Sequence, residues 1–498
     1  MIAVSPRGDS GAITAFVGCL SLASSACRAD VFLNEPGDGS VDGAQSDGRP
    51  TIVGSDSTSI CVTGQCTCTV NNQCIRDCGG QPETTISGTV YDPAGNNPLY
   101  KIAVYIPATL PLPVLPGPPT ELVNCPQCPQ YYAKPVVAGQ LTNASGQFRF
   151  GHVPVGDNVP LVVQVGKWRR LTRISTKACQ DNPIPDKTLH LPSQGGPDDT
   201  LPQFAISTGG ADSMECLLKR IGVADSEYAS GAGGNGHIHI FQGGGSGSTA
   251  GPQMLGGSPP SSTALWPAGT ALGKYDVVIL SCEGDETSGV NPSALADYAN
   301  VGGRVFASHF HYAWFTAGNS PFYYDNLASW QTGREEIGNI NTLIRIGFNG
   351  GSLMAMHDWL KNVGALTNDE LPIVQAFYNA SVSMANKNST SWIVADPSTT
   401  APDGGSAAGA TEYFSFDTPV GLSAEKQCGR IVYSDLHVGA ASNDYRAITG
   451  NTSAGVVPSG CTAGTLSPQE KALEFMLFDL AACFTPPNAR ETNDWPTQ

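Results

Sequence analysis

The chain has 498 residues, a formal charge of −17 from 26 Lys and Arg against 43 Asp and Glu, and only 14% charged positions. That length suits about three domains, and an apolar content of 40% is enough to fill their cores. The few, scattered basic residues exclude a nucleic-acid binder, which needs clustered Lys and Arg against phosphates, while 58 Gly and 37 Pro favour loops and β architecture.

Residues 1–27 read as an export signal, because Ala12 to Ala26 is a run of apolar and small residues behind Arg7. Leu22-Ala23-Ser24-Ser25-Ala26-Cys27 is similar to a bacterial lipobox, with Cys27 as the lipidated residue. Phe16-Val17-Gly18-Cys19 competes with it, and a plain secretory peptide is the simpler alternative. No later apolar run approaches the roughly 20 residues of a membrane span, so membrane contact is expected only through a lipid anchor.

Residues 28–59 are Gly, Asp and Ser with few large apolar side chains, a composition that cannot offset the entropy of ordering, and they read as a disordered stalk. Asp38, Asp42 and Asp47 lack the ligand spacing of a calcium loop. Residues 60–83 form a Cys-rich segment with Cys61, Cys66, Cys68, Cys74 and Cys78. Fifteen cysteines place the chain outside the cytosol, as an outer-membrane or cell-surface lipoprotein or a secreted protein. Setting aside Cys19, Cys27 and a buried Cys282 leaves twelve, which suits six disulfides of open connectivity. Cys125 and Cys128 have no second pair at zinc-ribbon spacing and read as disulfide partners.

Residues 84–192 alternate apolar and polar positions in short runs bounded by Gly, Pro or Asn: Thr89-Val90-Tyr91, Ile102 to Ile106, Phe148-Arg149-Phe150 and Leu161 to Val165. That is a half-buried strand pattern at β-sandwich spacing. With GTVYD at Gly88 to Asp92, TNASGQF at Thr142 to Phe148 and VPVG at Val153 to Gly156, the stretch resembles the carboxypeptidase regulatory-like, prealbumin-type domain. The resemblance implies surface display, folding support or ligand contact, and no peptidase activity. The Pro-rich stretch from Pro107 to Pro135 departs from the pattern.

Residues 201–485 change period. Phe204 to Ser207 reads as a strand. Asp212 then opens a helix with Glu215 completing a capping box and Met214, Leu217, Leu218 and Ile221 on one face. His237 to Phe241, Tyr275 to Leu280, Arg304 to Ser308 and Arg430 to Leu436 read as further strands. Asn291-Pro292 and Ser467-Pro468-Gln469-Glu470 open helices, the last with Leu473, Met476, Leu477 and Leu480 toward the sheet. Residues 312–427 read as an irregular insertion rich in Trp and Tyr, and 486–498 as a tail. Alternating β and α elements argue for a doubly wound parallel sheet. The fold class expected is therefore multidomain: a prealbumin-like β-sandwich plus a flavodoxin-like, amidotransferase-like α/β domain.

Asp276 to Gly284, Asn300 to His311 and Gly429 to Gly439 make this part similar to the class I glutamine amidotransferase-like superfamily, and within it to the ThuA-like proteins linked to sugar use. The catalytic members carry a cysteine in a glycine-flanked elbow after the strand that here reads Arg304 to Ser308. This chain has Ser308-His309-Phe310 there, so that nucleophile does not carry over. Cys282 follows the preceding strand, and the acids Glu283 and Asp285 beside it disfavour a thiolate.

Ligands of an open α/β sheet lie beyond the carboxyl ends of its strands. Cys282, Glu283, Asp285 and Glu286 follow one strand, His309 and His311 the next, and Asp435 and His437 end the late one, so these polar residues converge. His309, His437 and Glu283 are the candidates for acid–base work, and His309, His311 and His437 for a divalent metal. The simpler reading is imidazoles hydrogen-bonded to strand-end carbonyls and carboxylates, and no cofactor is otherwise expected. His237 and His239 read as strand filling. Tyr312, Trp314 and Trp330, with Asp285 and Asp435, are the candidate binding residues for a sugar face; Tyr323, Tyr324, Trp359 and Trp392 accompany them. Core packing explains the rings equally well.

The expected function is non-catalytic binding of a carbohydrate or cell-envelope partner. A ThuA-like enzyme acting on sugars, with or without a divalent metal, and a purely structural surface protein are the alternatives.

Overall fold

The structure, a computed structural model, describes residues 66–68, 74–115, 136–210, 212–243, 258–267, 271–286, 291–331, 340–343, 352–373, 376–395, 406–437 and 466–482. The expectations for 1–59 (Cys27 included), for Cys61, for Cys125 and Cys128, and for the 486–498 tail fall outside the described residues.

β1 (Cys66–Cys68) and β2 (Cys74–Arg76) form a short antiparallel pair. β3 (Thr85–Thr89) pairs with β6 (Gln147–Phe150) and β9 (Asp181–Pro183) in a three-stranded sheet. β4 (Ala103–Pro107), β5 (Val136–Leu141), β7 (Gly156–Val165), β8 (Trp168–Thr176) and β10 (Asp199–Thr200) make an antiparallel sheet in the order β10-β8-β7-β4-β5. Side chains alternate across a strand. Val104, Ile106, Leu161 and Val163 therefore join Ile86 and Phe148 in one core, while Ala103, Tyr105 and Val162 fill a smaller cluster on the opposite face.

The second part is built on one ten-stranded sheet. β11 (Phe204–Thr208), β12 (Tyr228–Ser230), β13 (Ile238–Gln242), β14 (Val277–Leu280), β15 (Arg304–Ser308) and β22 (Gly429–Ser434) run parallel, in the order β12-β13-β11-β14-β15-β22. Beyond β22 the sheet continues antiparallel through β21 (Thr411–Thr418), β20 (Ser389–Ala395), β17 (Ile340–Leu343) and β18 (Glu370–Ile373). β16 (Ser329–Trp330) and β19 (Ala380–Ser381) form a separate small pair. Much of the supposedly irregular stretch 312–427 thus extends the sheet, and the sheet is mixed, not wholly parallel. The signal was present in Thr411 to Thr418, whose rings at Phe414 and Phe416 alternate with Tyr413 on the other face.

Both faces of the sheet are covered. Along β14, Val277 and Ile279 point into the core that holds α1 (Met214–Arg220), α4 (Ser352–Asn362) and α5 (Pro468–Ala481), whereas Val278 and Leu280 point to α2 (Pro292–Asn300) and to Trp314 and Phe315 of α3 (Ala313–Thr316). The helix starts follow their caps: Asn291 accepts from Ala294 N–H at 3.1 Å, and Ser467 and Glu470 form a reciprocal capping box. α1 differs from expectation. Its N-cap is Ser213, without a side-chain cap, and Asp212 instead accepts a hydrogen bond from the Ser308 hydroxyl at 2.8 Å. Among the described residues no helix is long and apolar enough to cross a membrane.

The two parts share one core. Trp168 of β8 lies with its ring centre 6.2 Å from Phe204 and 5.3 Å from Phe478, and its indole N–H donates to the Pro192 carbonyl. Tyr100 stacks on Phe475 at 5.9 Å, and the Trp359 indole donates to the Pro98 carbonyl. The hairpin tip between β7 and β8 is wedged against α5: Gly166 has φ +53, and a Cβ there would meet the Ala481 carbonyl oxygen at 2.1 Å. Lys167 beside it pairs with Asp276 at 2.5 Å.

Cys78 and Cys179 form a disulfide across 101 residues, and Cys74, Cys216 and Cys428 are also disulfide-bonded. Closing so long a loop restricts the unfolded chain, so Cys78→Ser is expected to lower stability by about 2–5 kcal/mol. Urea unfolding of the variant under non-reducing conditions checks this; an unchanged midpoint contradicts it.

Candidate functional site

The carboxyl ends of β14, β15 and β22 are adjacent, and each delivers one side chain to the same place. Cys282 leaves β14, His309 leaves β15 and His437 leaves β22; they are 0%, 0% and 5% exposed. Cys282 Sγ lies 3.4 Å from His309 Nδ1, and His437 Nε2 lies 3.1 Å from that same nitrogen.

The local chain explains why His309 enters and His311 does not. β15 stops at Ser308, and His309 takes a left-handed φ of 43°, a conformation that costs a side-chain-bearing residue roughly 1–3 kcal/mol. The chain then winds into a 3₁₀ turn, His309–Tyr312. The two histidines would face one way only on a continuing strand. Instead His311 Nδ1 bonds the Ser308 carbonyl at 2.9 Å, away from the cluster, and burial pushes its pKa down to about 4.

Phe377 clamps both cluster imidazoles, stacked on His309 at 4.0 Å and 4.6 Å from His437. Gln469, in the first turn of α5, donates to the His437 carbonyl. The Tyr433 hydroxyl lies 2.8 Å from the His309 carbonyl and 2.7 Å from the Asp435 carboxyl. A hydroxyl donates once, so Tyr433 donates to the Asp435 carboxyl or to the His309 carbonyl, not to both at once. Burial raises the Asp435 pKa to about 7, against the pull of Tyr433 and the backbone N–H groups of Asn379 and Ala380.

Cys282 is a free, buried thiol. Burial pushes its pKa up to about 12, with Asp212 and Glu283 adding to the rise, although the backbone N–H groups of Gly284 and Phe310 hydrogen-bond its sulfur. Glu283 is buried 3.4 Å from the Ser207 hydroxyl, outside the three-residue cluster. Asp285 is exposed, where its carboxylate accepts from Glu286 N–H at 2.9 Å.

Of the rings expected to form a binding face, Tyr312 and Trp314 lie inside the fold and Trp330 is half-buried. Tyr312 and Trp314 are 1% and 3% exposed. The Tyr312 hydroxyl donates to Glu286, Trp314 packs edge-on against Trp266 at 4.7 Å, and Trp330 stacks on Phe315 at 5.9 Å. Trp359 and Trp392 are buried, whereas Tyr323 and Tyr324 reach solvent at 49% and 86%. His239 bonds Tyr275 and the Gly236 carbonyl, and His237 pairs with Glu227.

Sequence reasoning set Cys282 at the same strand ends as the histidines but read it as an inert thiol and not as their partner. It missed that Phe377 and Asp212 line the same region, for which spacing held no signal, since these residues come from segments far apart in the chain. No protein-family model matches the chain, and no curated protein matches it. A solved structure of a ThuA-like protein from Bacteroides uniformis is similar at a TM-score of 0.27 and 10% identity, over 52% of this chain and 93% of that one, which is too slight to assign a family.

Proposed function

We propose that the chain is an exported cell-surface or secreted protein with a non-catalytic binding role toward a carbohydrate or another cell-envelope component. In this reading a β-sandwich of the carboxypeptidase regulatory-like type is built onto a flavodoxin-like, ThuA-like α/β domain. The observation that carries it is the end of β15. The elbow that would present a nucleophile presents His309, and the one thiol beside it is buried with its pKa raised. Covalent acyl transfer needs the opposite, an accessible sulfur with a lowered pKa. The disulfides suit an oxidising compartment. Tyr323 and Tyr324, edge-on at 4.9 Å and exposed, offer ring faces to a sugar in place of the buried Tyr312 and Trp314 and the half-buried Trp330.

The test uses folded, chelator-treated protein. Iodoacetamide at neutral pH is expected to leave Cys282 unmodified until the chain is unfolded, and amide and ester substrates are expected to show no turnover. Turnover that disappears in Cys282→Ser would overturn the proposal.

A further inference from the structure

Three residues from three strand ends converge, Cys282, His309 and His437, with one donor atom of each within 4.8 Å of the others, and the close contacts run through Cys282 Sγ, His309 Nδ1 and His437 Nε2. We propose that these three residues hold a divalent ion of the zinc class. The inference stands apart from the binding role above.

The spacing is the first argument. An ion bound tetrahedrally at about 2.0–2.1 Å from nitrogen and about 2.3 Å from sulfur sets N···N edges of about 3.3 Å and N···S edges of about 3.6 Å. Two of the three edges match, at 3.1 Å between the imidazole nitrogens and 3.4 Å between Cys282 and His309, and the third, between Cys282 and His437, is within 4.8 Å. Hydrogen bonding alone explains the convergence poorly, because Nδ1 of His309 carries either a proton or a lone pair, and a thiol and a second imidazole compete for it.

The surroundings are the second argument. A metal-bound cysteine is a thiolate, and the backbone N–H groups of Gly284 and Phe310 already point at the sulfur. The ligand rings are fixed before any ion arrives: Phe377 stacks on His309 and packs against His437, and Tyr433 and Gln469 reach the carbonyls of the two histidines. The left-handed backbone at His309 is what turns its ring toward the other two donors. One thiolate and two imidazoles select zinc-like ions over magnesium or calcium, which take oxygen ligands. Three protein ligands also leave a coordination position for water or an incoming group. With donors 0–5% exposed, the ion enters as the chain folds or through a local opening, and leaves slowly.

The experiment uses the full chain with its disulfides intact, loaded with cobalt(II) in place of zinc. One equivalent is expected to survive gel filtration and to show sulfur-to-cobalt charge transfer in the near ultraviolet with strong tetrahedral visible bands. Cys282→Ser should lose the charge-transfer band, and His309→Asn and His437→Asn should each weaken binding at least about 100-fold, with the fold checked by circular dichroism. Absence of the band in the unsubstituted protein overturns the proposal. So does a band that persists in Cys282→Ser, which places the ion on other cysteines. If the variants do not fold, X-ray absorption of the zinc-loaded unsubstituted protein decides: one sulfur and two imidazoles support the site, and a shell of all sulfur or no sulfur rejects it.

Discussion

Trp168→Ala is expected to lower the stability of the chain by about 3–5 kcal/mol, and to lower it for both halves together. The indole is fully buried where the first set of strands meets the large sheet and α5. Truncation leaves a cavity between Phe204 and Phe478, removes the hydrogen bond to the Pro192 carbonyl and strips packing from two sheets at once. Because the core is continuous across this junction, unfolding should stay a single transition displaced to lower urea. Limited proteolysis along the titration reads the two halves separately. Cleavage confined to the residues before 200 would show that the halves unfold independently and would contradict the prediction.

Raising the pH from about 6.5 to 8 is expected to destabilise the protein, with Glu215 as one source. Its carboxyl is completely buried on α1, and burial raises its pKa from 4.5 to about 8, with the nearby Asp212 adding to the rise. Glu412 and Glu474 are raised for the same principal reason. A carboxyl with a raised folded-state pKa binds its proton more tightly in the native state. Its contribution is therefore complete below the unfolded value and is lost as pH climbs through the folded one, at about 1.4 kcal/mol per unit of difference. His311 acts in the opposite sense: its folded pKa of about 4 lies below its ordinary value of 6.5, so its effect ends near pH 6.5 and leaves the window above to the carboxyls. Glu215→Gln should flatten the decline between pH 6.5 and 8. Equal slopes in the two proteins would reject Glu215 as a source.

The parts of this fold that are local in the sequence were legible there. Ile102 to Ile106 and Leu161 to Val165 read as strands and fall on β4 and β7, although both of their faces are buried where a half-buried pattern was expected, and Asn291 and Ser467 mark helix starts because exposed N–H groups need acceptors. Cys282 reads as a buried thiol from its apolar strand, and it is one. What depends on distant segments was not legible. The 3₁₀ turn that separates His309 from His311, the antiparallel extension through β17, β18, β20 and β21, and the pairing of Cys78 with Cys179 are settled by tertiary packing, which outweighs local preference. The burial of Tyr312 and Trp314 was undecidable from spacing for the same reason, since a ring suits a core as well as a ligand face.

The wedge at Gly166 bears on where this chain can be divided. Any larger side chain at that tip would collide with the last turn of α5. Severed near residue 195, each half would display an oily strip of rings such as Tyr100, Trp168 and Phe478, and neither is expected to stay in solution without the other.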